Sequence, residues 1–467
     1  MQRQKVKMKN EAIISRRKFI AATGAVIPAI MVGSYASAKE KTRPNIIWLI
    51  ADDAGWKDFG CYGHPTIRTP NIDKLAEEGV RFTHAFVTSP QCSPCRASIW
   101  TGMYAHSIGA EDLHTPLSKD QLILPELLKQ RGYYSGNVCK LHLGNDAADK
   151  FDFIHQDIKA WRMFMDTRPK NRPFFLTLGF TDPHRPYQEG AFQPAHKKNE
   201  VVVPPYLPDT DRVREDLALY YDEISRMDAE IGDLLKHLKQ EQVEEDTVVF
   251  FWSDNGQPFP RAKGTLYDAG IAEPLIVRWK TNLAPGVRHG LASLVDITPT
   301  VLDIAGIKTP PDIQGRSMLP EIKSSKAPGR EYIFAERNWH DIDDHSRAVR
   351  SKRFKYIRNY FPKEPFCIPA DAAASITFQE MRKLRDEGAL TAQQMLMFRW
   401  PRPSEELYDI EKDPDEFHNL TNEPAYQTIL QQLRRQLDKW INETNDVPPE
   451  KRLPNKYDYE TGQRLKH

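Results

Sequence analysis

Asn45-Ile46-Ile47-Trp48-Leu49-Ile50-Ala51 runs directly into Asp52-Asp53. A nearly unbroken apolar stretch of this length reads as a strand covered on both faces, as in a parallel sheet, because a strand with one wet face would alternate. Paired carboxylates at the carboxyl end of such a strand stand where open α/β sheets place their ligands. The pattern recurs at Thr247-Val248-Val249-Phe250-Phe251-Trp252, which leads through Ser253 into Asp254-Asn255-Gly256. Further core strands are expected at 133–138, 174–180 and 274–279, with long amphipathic helices at 212–240 and 294–304. Thr69-Pro70-Asn71 opens a helix that runs to Gly79, with proline at its first position and glycine past its end. This alternation predicts an α/β fold, a large mixed and mostly parallel sheet flanked by helices.

The chain has 467 residues, of which 40% are hydrophobic and 28% charged, and its formal net charge is +1. That length suits one large α/β domain with an appendage, and the charge balance argues against nucleic acid as a partner. Near the N-terminus, Ser15-Arg16-Arg17-Lys18-Phe19-Ile20 resembles a twin-arginine export motif. A largely apolar run follows from Phe19 to Val32, and Ala36-Ser37-Ala38 offers a small-x-small cleavage site. The run is shorter than the roughly 20 residues that span a bilayer. Residues 1–38 are therefore expected to be a twin-arginine-type signal peptide, read by the twin-arginine export machinery, and the mature protein to be periplasmic or secreted. Residues 39–329 form the expected catalytic domain. The stretch at 323–329 is polar and linker-like, and the pattern changes beyond it. Short strands at 331–335 and 354–358, and a terminal helix at 426–443 with Leu430, Leu433 and Leu437 on one face, imply a smaller α+β subdomain over 330–467. The residues from Pro448 onward are polar and are expected to be poorly ordered.

The strand-end groups suggest chemistry. Asp52, Asp53 and Asp254 with the Asn255 amide oxygen make a set suited to a hard cation, Ca²⁺ or Mg²⁺. Basic groups follow other strands. Lys140 and His142, two apart on a segment expected to be extended, would point the same way and reach one anion. His184 follows the strand at 174–180, and Lys263 comes shortly after Asp254. Cys92-Ser93-Pro94-Cys95-Arg96 contains a C-x-x-C pair that could be a redox dithiol or half a zinc site. No second C-x-x-C exists and Cys61, Cys139 and Cys367 are scattered, which disfavours structural zinc. A thioredoxin-like pair would open a helix in a small βαβ domain, and this one lies deep inside a larger unit.

Cys92-x-Pro94-x-Arg96 with the trailing Thr101-Gly102 resembles the site at which sulfatases convert a cysteine to formylglycine. Over about residues 45–443 the chain resembles a type I sulfatase of the alkaline-phosphatase-like superfamily, and within that group the heparan N-sulfatases, or sulfamidases. The resemblance is carried by Arg172-Pro173-Phe174-Phe175-Leu176 running on to Asp182-Pro183-His184-Arg185, and by Ser253-Asp254-Asn255-Gly256-Gln257-Pro258-Phe259-Pro260. Ala272-Glu273-Pro274-Leu275, Thr377-Phe378-Gln379, and Glu406-Leu407-Tyr408-Asp409 through Asp413-Pro414-Asp415-Glu416 add to it.

The resemblance implies that a formylglycine-generating enzyme oxidises Cys92 to 3-oxoalanine and that the hydrated aldehyde is the nucleophile. It implies Ca²⁺ (or Mg²⁺) held by Asp52, Asp53, Asp254, Asn255 and the modified Cys92. Arg96, Lys140, His142, His184 and Lys263 would surround the nucleophile and the sulfate, and His340, Asp341 and Arg347 would face the sugar, the alternative for His340 and Asp341 being a solvated acidic loop with Asp343 and Asp344. The implied substrate is the N-sulfate of glucosamine in heparin-type glycans. The alternatives are an O-sulfated carbohydrate or aryl sulfate, a phosphodiester or phosphonate, and an inactive protein that binds sulfated glycans. Retention of Cys92 speaks against the phosphorus chemistry, because phosphatase relatives carry Thr or Ser there. Four positions depart from the family pattern. Cys95 replaces Ser or Ala, Cys139 and Leu141 replace the first Gly and the Trp of the common Gly-Lys-Trp-His-Leu-Gly run, and Lys263 stands where sulfamidases tend to carry Arg.

Overall fold

Strand β1 (Asn45–Ala51) is buried at six of its seven residues, as its composition requires. The computed structural model describes residues 43–366, 368–459 and 463–466; the expected signal peptide and Cys367 lie outside the described residues. β1 sits inside a nine-stranded sheet with β2 (Val80–Phe86), β3 (Tyr134–Cys139), β4 (Phe153–His155), β5 (Phe174–Gly179), β6 (Thr247–Ser253), β7 (Ala272–Arg278), β8 (Gly286–Arg288) and β9 (Ala292–Ser293). The order is β4-β3-β5-β1-β6-β7-β2-β8, with β9 also on β2. Only the pairings of β7 with β6 and with β2 are antiparallel, so the sheet is mixed and mostly parallel.

The core ties this sheet to the helix Cys92–Thr101. Trp48 of β1 packs on Trp100 of that helix with ring centroids 4.7 Å apart, and on Phe175 and Trp252 of the neighbouring strands at 5.1 Å each. All ten residues of the helix are buried, and Gly102 closes it in the left-handed conformation at φ 71°. The helix Asp211–Gln240 covers the sheet elsewhere and buries Val213, Leu217, Ile224, Ile231 and Leu238 among others.

A second, antiparallel sheet follows in the order β10 (Ile333–Arg337), β11 (Ser346–Arg350), β12 (Phe354–Asn359), β13 (Glu405–Asp409). The helix Gln427–Thr444 lays Leu430, Leu433, Leu437 and Trp440 against Val349, Tyr356 and Leu407 of this sheet. The terminal helix therefore docks through the leucines its periodicity marked. β11 has no counterpart in the sequence reading, because its Ser346, Arg347 and Arg350 look solvated, yet all five of its residues are buried. The helix expected at 294–304 begins at Ile297, after a 3₁₀ turn over Leu294–Asp296. The tail beyond Pro448 also departs from expectation, since residues 452–459 are pinned to the body of the protein. Among the described residues no helix is long and apolar enough to cross a membrane.

Candidate active site

Parallel pairing brings the site together. Ala51 of β1 lies in register with Ser253 of β6, which places Asp52-Asp53 beside Asp254-Asn255. On the other side of β1, the carboxyl ends of β5 and β3 supply His184 and Lys140. Side chains from four adjacent parallel strands thus converge on one edge, as such sheets favour. The approach is close at Gly179, where a Cβ would lie 2.0 Å from the Lys140 carbonyl oxygen, so no larger residue fits without moving β3. Cys92 enters from the first turn of the helix anchored by Trp48. Lys263 comes from a loop fixed by the Gly264 amide, which donates to the Pro90 carbonyl at 3.0 Å, two residues before Cys92.

One cation meets each carboxylate. Lys140 Nζ lies 2.5 Å from Asp52 Oδ2, Lys263 Nζ 2.7 Å from Asp53 Oδ2, and Arg96 Nε 2.7 Å from Asp254 Oδ2. Cys92 Sγ lies 3.7 Å from Asp53 Oδ1. One ligand atom from each of Asp52, Asp53, Cys92 and Asp254 falls within 4.8 Å of the others. The three carboxylates are fully buried. Burial, together with the charges of Asp52 and Asp53, raises Asp254 to about 7 against the pull of Arg96 and Lys140. Burial also opposes ionisation of Asp52, but Lys140, His184 and Arg96 hold it well below the usual carboxylate range. Burial pushes the Cys92 thiol well above its ordinary value despite Lys140 and Lys263.

The donor set fits a hard cation. Asp52 Oδ1 and Asn255 Oδ1 are buried and accept no hydrogen bond, an expensive condition for a polar atom unless something binds it. The other half of the Asn255 amide donates to Asp53 Oδ1 at 2.7 Å and to the Gly256 carbonyl at 3.0 Å, so its oxygen is the half left over. Three carboxylates and one amide oxygen are ligands for Ca²⁺ or Mg²⁺. Cys95 is not among the converging groups, and Cys61, Cys92, Cys95 and Cys139 are all free thiols, which does not support a zinc or disulfide role for the C-x-x-C pair.

The histidines are placed differently from each other. His184 Nδ1 donates to the Arg185 carbonyl, which can only accept, so the proton sits on Nδ1. Its Nε2 faces Asp53 Oδ2 at 3.8 Å and Asp371 Oδ2 at 3.6 Å. The segment carrying Lys140 and His142 is not extended. Cys139 and His142 both have positive φ, 63° and 61°, so the two side chains diverge. His142 Nε2 meets His114 Nδ1 at 2.7 Å instead of reaching the Asp52 pair directly. Burial and the charges of Lys140 and Arg96 bring His142 down to about 2, so it is neutral. His114 is in turn held by its amide, which donates to Ser93 Oγ at 2.8 Å beside Cys92.

The three residues expected to face the sugar, His340, Asp341 and Arg347, are placed differently from one another. His340 and Asp341 are buried next to the site, where His340 feels both Lys263 and Asp371. Arg347 does not face a sugar. It is 1% exposed, and its guanidinium grips Asp446 through Nε and Nη2 while Nη1 donates to the Arg337 and Ser346 carbonyls. The sequence reading missed Asp371, whose Oδ2 accepts from Lys263 Nζ at 2.9 Å. It lies on the four-residue helix Ala370–Ala373, in a stretch too short and alanine-rich to signal a site. It missed His114 for the same kind of reason, since no strand or spacing marks Asp112-Leu113-His114.

Comparison with known proteins bears on this geometry. The sulfatase family model matches residues 44–161 and 158–307, and a model for the C-terminal part of N-sulphoglucosamine sulphohydrolase matches 261–371. An ulvan-active sulfatase of Formosa agariphila is 35% identical over 89% of this chain and 78% of its own. Human N-sulphoglucosamine sulphohydrolase is 34% identical over 87% of this chain and 91% of its own. Among solved structures, BT4656 in complex with its substrate D-glucosamine-2-N,6-O-disulfate superposes with a TM-score of 0.68 at 20% identity, covering 87% of this chain and 99% of that one. With cations, carboxylates and a cysteine meeting at the strand ends and these matches spanning the sheet that presents them, the chain belongs to the sulfatase family and is a sulfatase.

Proposed function

We propose that this sulfatase removes the N-sulfate of glucosamine in heparin-type glycans, working outside the cytoplasm after twin-arginine-type export and after oxidation of Cys92 to formylglycine. The observation that carries the reading is the convergence of Arg96, Lys140, Lys263 and His184 on the buried carboxylates that gather beside Cys92, with the Asp52 and Asn255 oxygens unpartnered. The model for the C-terminal part of N-sulphoglucosamine sulphohydrolase spans both Lys263 and Asp371, which pair at the site, and this supports the N-sulfate.

In the reaction the S–N bond breaks, the sulfate leaves with an oxygen that derives from water, and the amine nitrogen takes a proton. Asp52, Asp53, Asp254 and Asn255 would hold a cation whose positive charge would lower the pKa of an oxygen nucleophile; the hydrated aldehyde at position 92 would supply that oxygen, and cleavage of its carbon–oxygen bond would then release the sulfate and return the aldehyde. Lys140 and Lys263 present ammonium groups where negative charge collects on the sulfuryl oxygens. Arg96 Nη2 has no hydrogen-bond partner and stands 3.8 Å from Asp52 Oδ1, available to the same oxygens. His184, in its doubly protonated form, gives the Nε2 proton to the departing nitrogen while its Nδ1–H stays bonded to the Arg185 carbonyl.

Mass spectrometry of the peptide across Cys92, with desulfation assays on N-sulfoglucosamine and 6-O-sulfated N-acetylglucosamine, tests this. The expected results are an oxidised residue 92, release from the N-sulfated sugar, and loss of both activity and thermal stability on chelation. An unmodified thiol in a host able to modify it would favour the inactive glycan-binding reading. Release from the O-sulfated sugar alone would move the substrate to an O-sulfate. The likeness to an ulvan-active sulfatase, at 35% identity against 34% for the human enzyme, is the observation behind that second reading.

A further inference from the structure

The C-terminal tail is built against the mouth of the site. Trp339 Nε1 donates to the Pro454 carbonyl at 3.0 Å, and the Asp343 amide donates to Asn455 Oδ1 at 2.8 Å. Tyr457 donates its hydroxyl to the Ile368 carbonyl, and Tyr459 donates to the Met397 carbonyl at 2.7 Å. These bonds hold residues 454–459 as a strap whose position does not depend on the Lys456 side chain. The Lys456 amide itself donates to the Asp341 carbonyl at 2.6 Å, which fixes where its side chain starts.

That side chain points to the rim. Lys456 Nζ lies 3.3 Å from Asp341 Oδ1 and 4.6 Å from the centre of the Trp339 ring, with 41% of the side chain exposed. Asp341 is occupied on its other oxygen, which accepts from the Ala370 amide at 3.1 Å, next to Asp371. An ammonium carries three donors, and Asp341 is the ion-pair partner of this one among the described residues. A half-exposed pair of this kind adds little to stability, so holding the tail does not explain the lysine. Exposed His114 is tied to the site by its amide, which donates to Ser93 Oγ beside Cys92 at 2.8 Å, and by its ring, which meets His142 at 2.7 Å, and the charges of both Lys456 and Lys140 reach it.

We propose that residues 454–459 form the outer wall of the substrate site and that Lys456 is a specificity residue, receiving a second anionic group of the saccharide. This rests on the reading of the site as one for a sulfated sugar. Lys456 is linked to the cluster that would hold the scissile sulfate through Asp341, which accepts from the Ala370 amide, and Asp371, the next residue, which accepts from Lys263. The second anion is a sulfate elsewhere on the same sugar or the carboxylate of an adjoining uronic acid. Either satisfies the ammonium, and with Trp339 beside it the rim offers an apolar face to a sugar ring as well.

Binding decides it without turnover. Calorimetric titration of the full-length Cys92→Ala protein compares N-sulfoglucosamine, its 6-O-sulfated form and a disaccharide with a uronate attached. The same series built on 6-O-sulfated N-acetylglucosamine is used if that sugar is the one bound. The second anion is expected to tighten binding about tenfold, and Lys456→Ala to remove that gain while leaving the singly charged sugar within about twofold. Lys456→Arg keeps most of the gain, and melting curves confirm that both variants fold. Whichever doubly charged ligand loses its advantage identifies the source of the anion. Equal weakening of all ligands, no change in any, or no saccharide binding at all would overturn the assignment. Turnover by the wild-type protein is scored separately, so a failure of the N-sulfate reading leaves the binding comparison standing.

Discussion

The strand-end cluster and the four-stranded sheet both bury charge, and they handle it in opposite ways. In the smaller sheet the pairs are closed. Arg347 and Asp446 satisfy each other in a bidentate bridge, and Arg350 grips both oxygens of Asp268 through Nε and Nη2. At the strand ends each carboxylate has a cation, yet Asp52 Oδ1, Asn255 Oδ1 and Arg96 Nη2 are left without partners. Desolvating a charge is costly unless all its bonds are made, so closed pairs read as architecture and open ones as a place prepared for something else. Count of buried charges does not separate the two regions, whereas saturation does.

The sharpest way to break this contrast is at the open cluster. Cys92→Ala should reduce turnover by about 10⁴-fold or more, since it removes the attacking group outright, while its melting temperature stays near that of the parent. Cys95→Ser, three residues on and outside the converging set, should keep most activity. Equal loss in both would mean that the wrong cysteine has been chosen. In the closed region the prediction inverts. Arg347→Met strands a buried Asp446 carboxylate and should cost about 3–5 kcal/mol of stability, with turnover per folded molecule preserved. Denaturant melts of that variant and of Arg347→Met with Asp446→Leu check it, because the double change removes the stranded charge and should recover much of the loss. A catalytic defect in soluble, folded Arg347→Met protein would restore the sugar-facing role that the structure withdraws.

A smaller effect separates the regions by pH. Glu336 is fully buried; burial opposes its ionisation, but His106, with its Nδ1 3.0 Å from Oε2, and Arg347 bring it from 4.5 down to about 2. The partner His106 is shifted up by Glu336 against its own burial. A carboxylate with a depressed folded pKa contributes stability above its unfolded value and loses it as pH falls towards the folded one. A histidine with a raised pKa contributes below its unfolded value and loses that as pH rises through the folded one. The pair therefore contributes most between about pH 4.5 and 6.5. Between pH 3 and 5.5, Glu336 should add about 2 kcal/mol. Urea midpoints at those two pH values should show a smaller gain for Glu336→Gln than for the parent, and an identical gain would remove this pair from the closed set.

What the sequence revealed follows the same physics. β1 and β6 were legible because a strand buried on both faces has no polar alternation to confuse with anything else, and the acidic pairs that end them were legible with it. The helix Cys92–Thr101 carries no apolar stripe because every residue of it is buried, so periodicity could not find it; its chemistry was found through the Cys92-x-Pro94-x-Arg96 motif alone. The direction of His142 was hidden because it depends on positive φ at Cys139 and His142, residues that rarely adopt it. β11 was hidden because Arg347 and Arg350 look solvated until Asp446 and Asp268, distant in sequence, are seen to pair with them. Asp371 was beyond reach, since it matters only because Asp341 holds the Ala370 amide and so aims the next residue at Lys263.

Asp371 also offers the finest test of the open cluster, because it touches two basic groups with different proposed tasks. Its Oδ2 lies 2.9 Å from Lys263 Nζ and 3.6 Å from His184 Nε2. If it serves chiefly to hold Lys263 against the sulfate, Asp371→Asn weakens every sulfate substrate alike, and KM rises whatever the leaving group. If it chiefly positions His184 to protonate the departing nitrogen, the defect depends on how much the leaving group needs that proton. An amine needs it, whereas a nitrophenolate leaves readily without it. The geometry favours the second outcome, since Lys263 keeps Asp53 at 2.7 Å when Asp371 is lost, and His184 retains only the more distant Asp53 contact of 3.8 Å. Asp371→Asn should therefore lower kcat on the N-sulfated sugar about tenfold, roughly 1.4 kcal/mol in the barrier, and leave nitrophenyl sulfate hydrolysis within about twofold. A uniform loss on both substrates, carried by KM, would assign Asp371 to Lys263 and leave His184 to be positioned by its own Nδ1 bond.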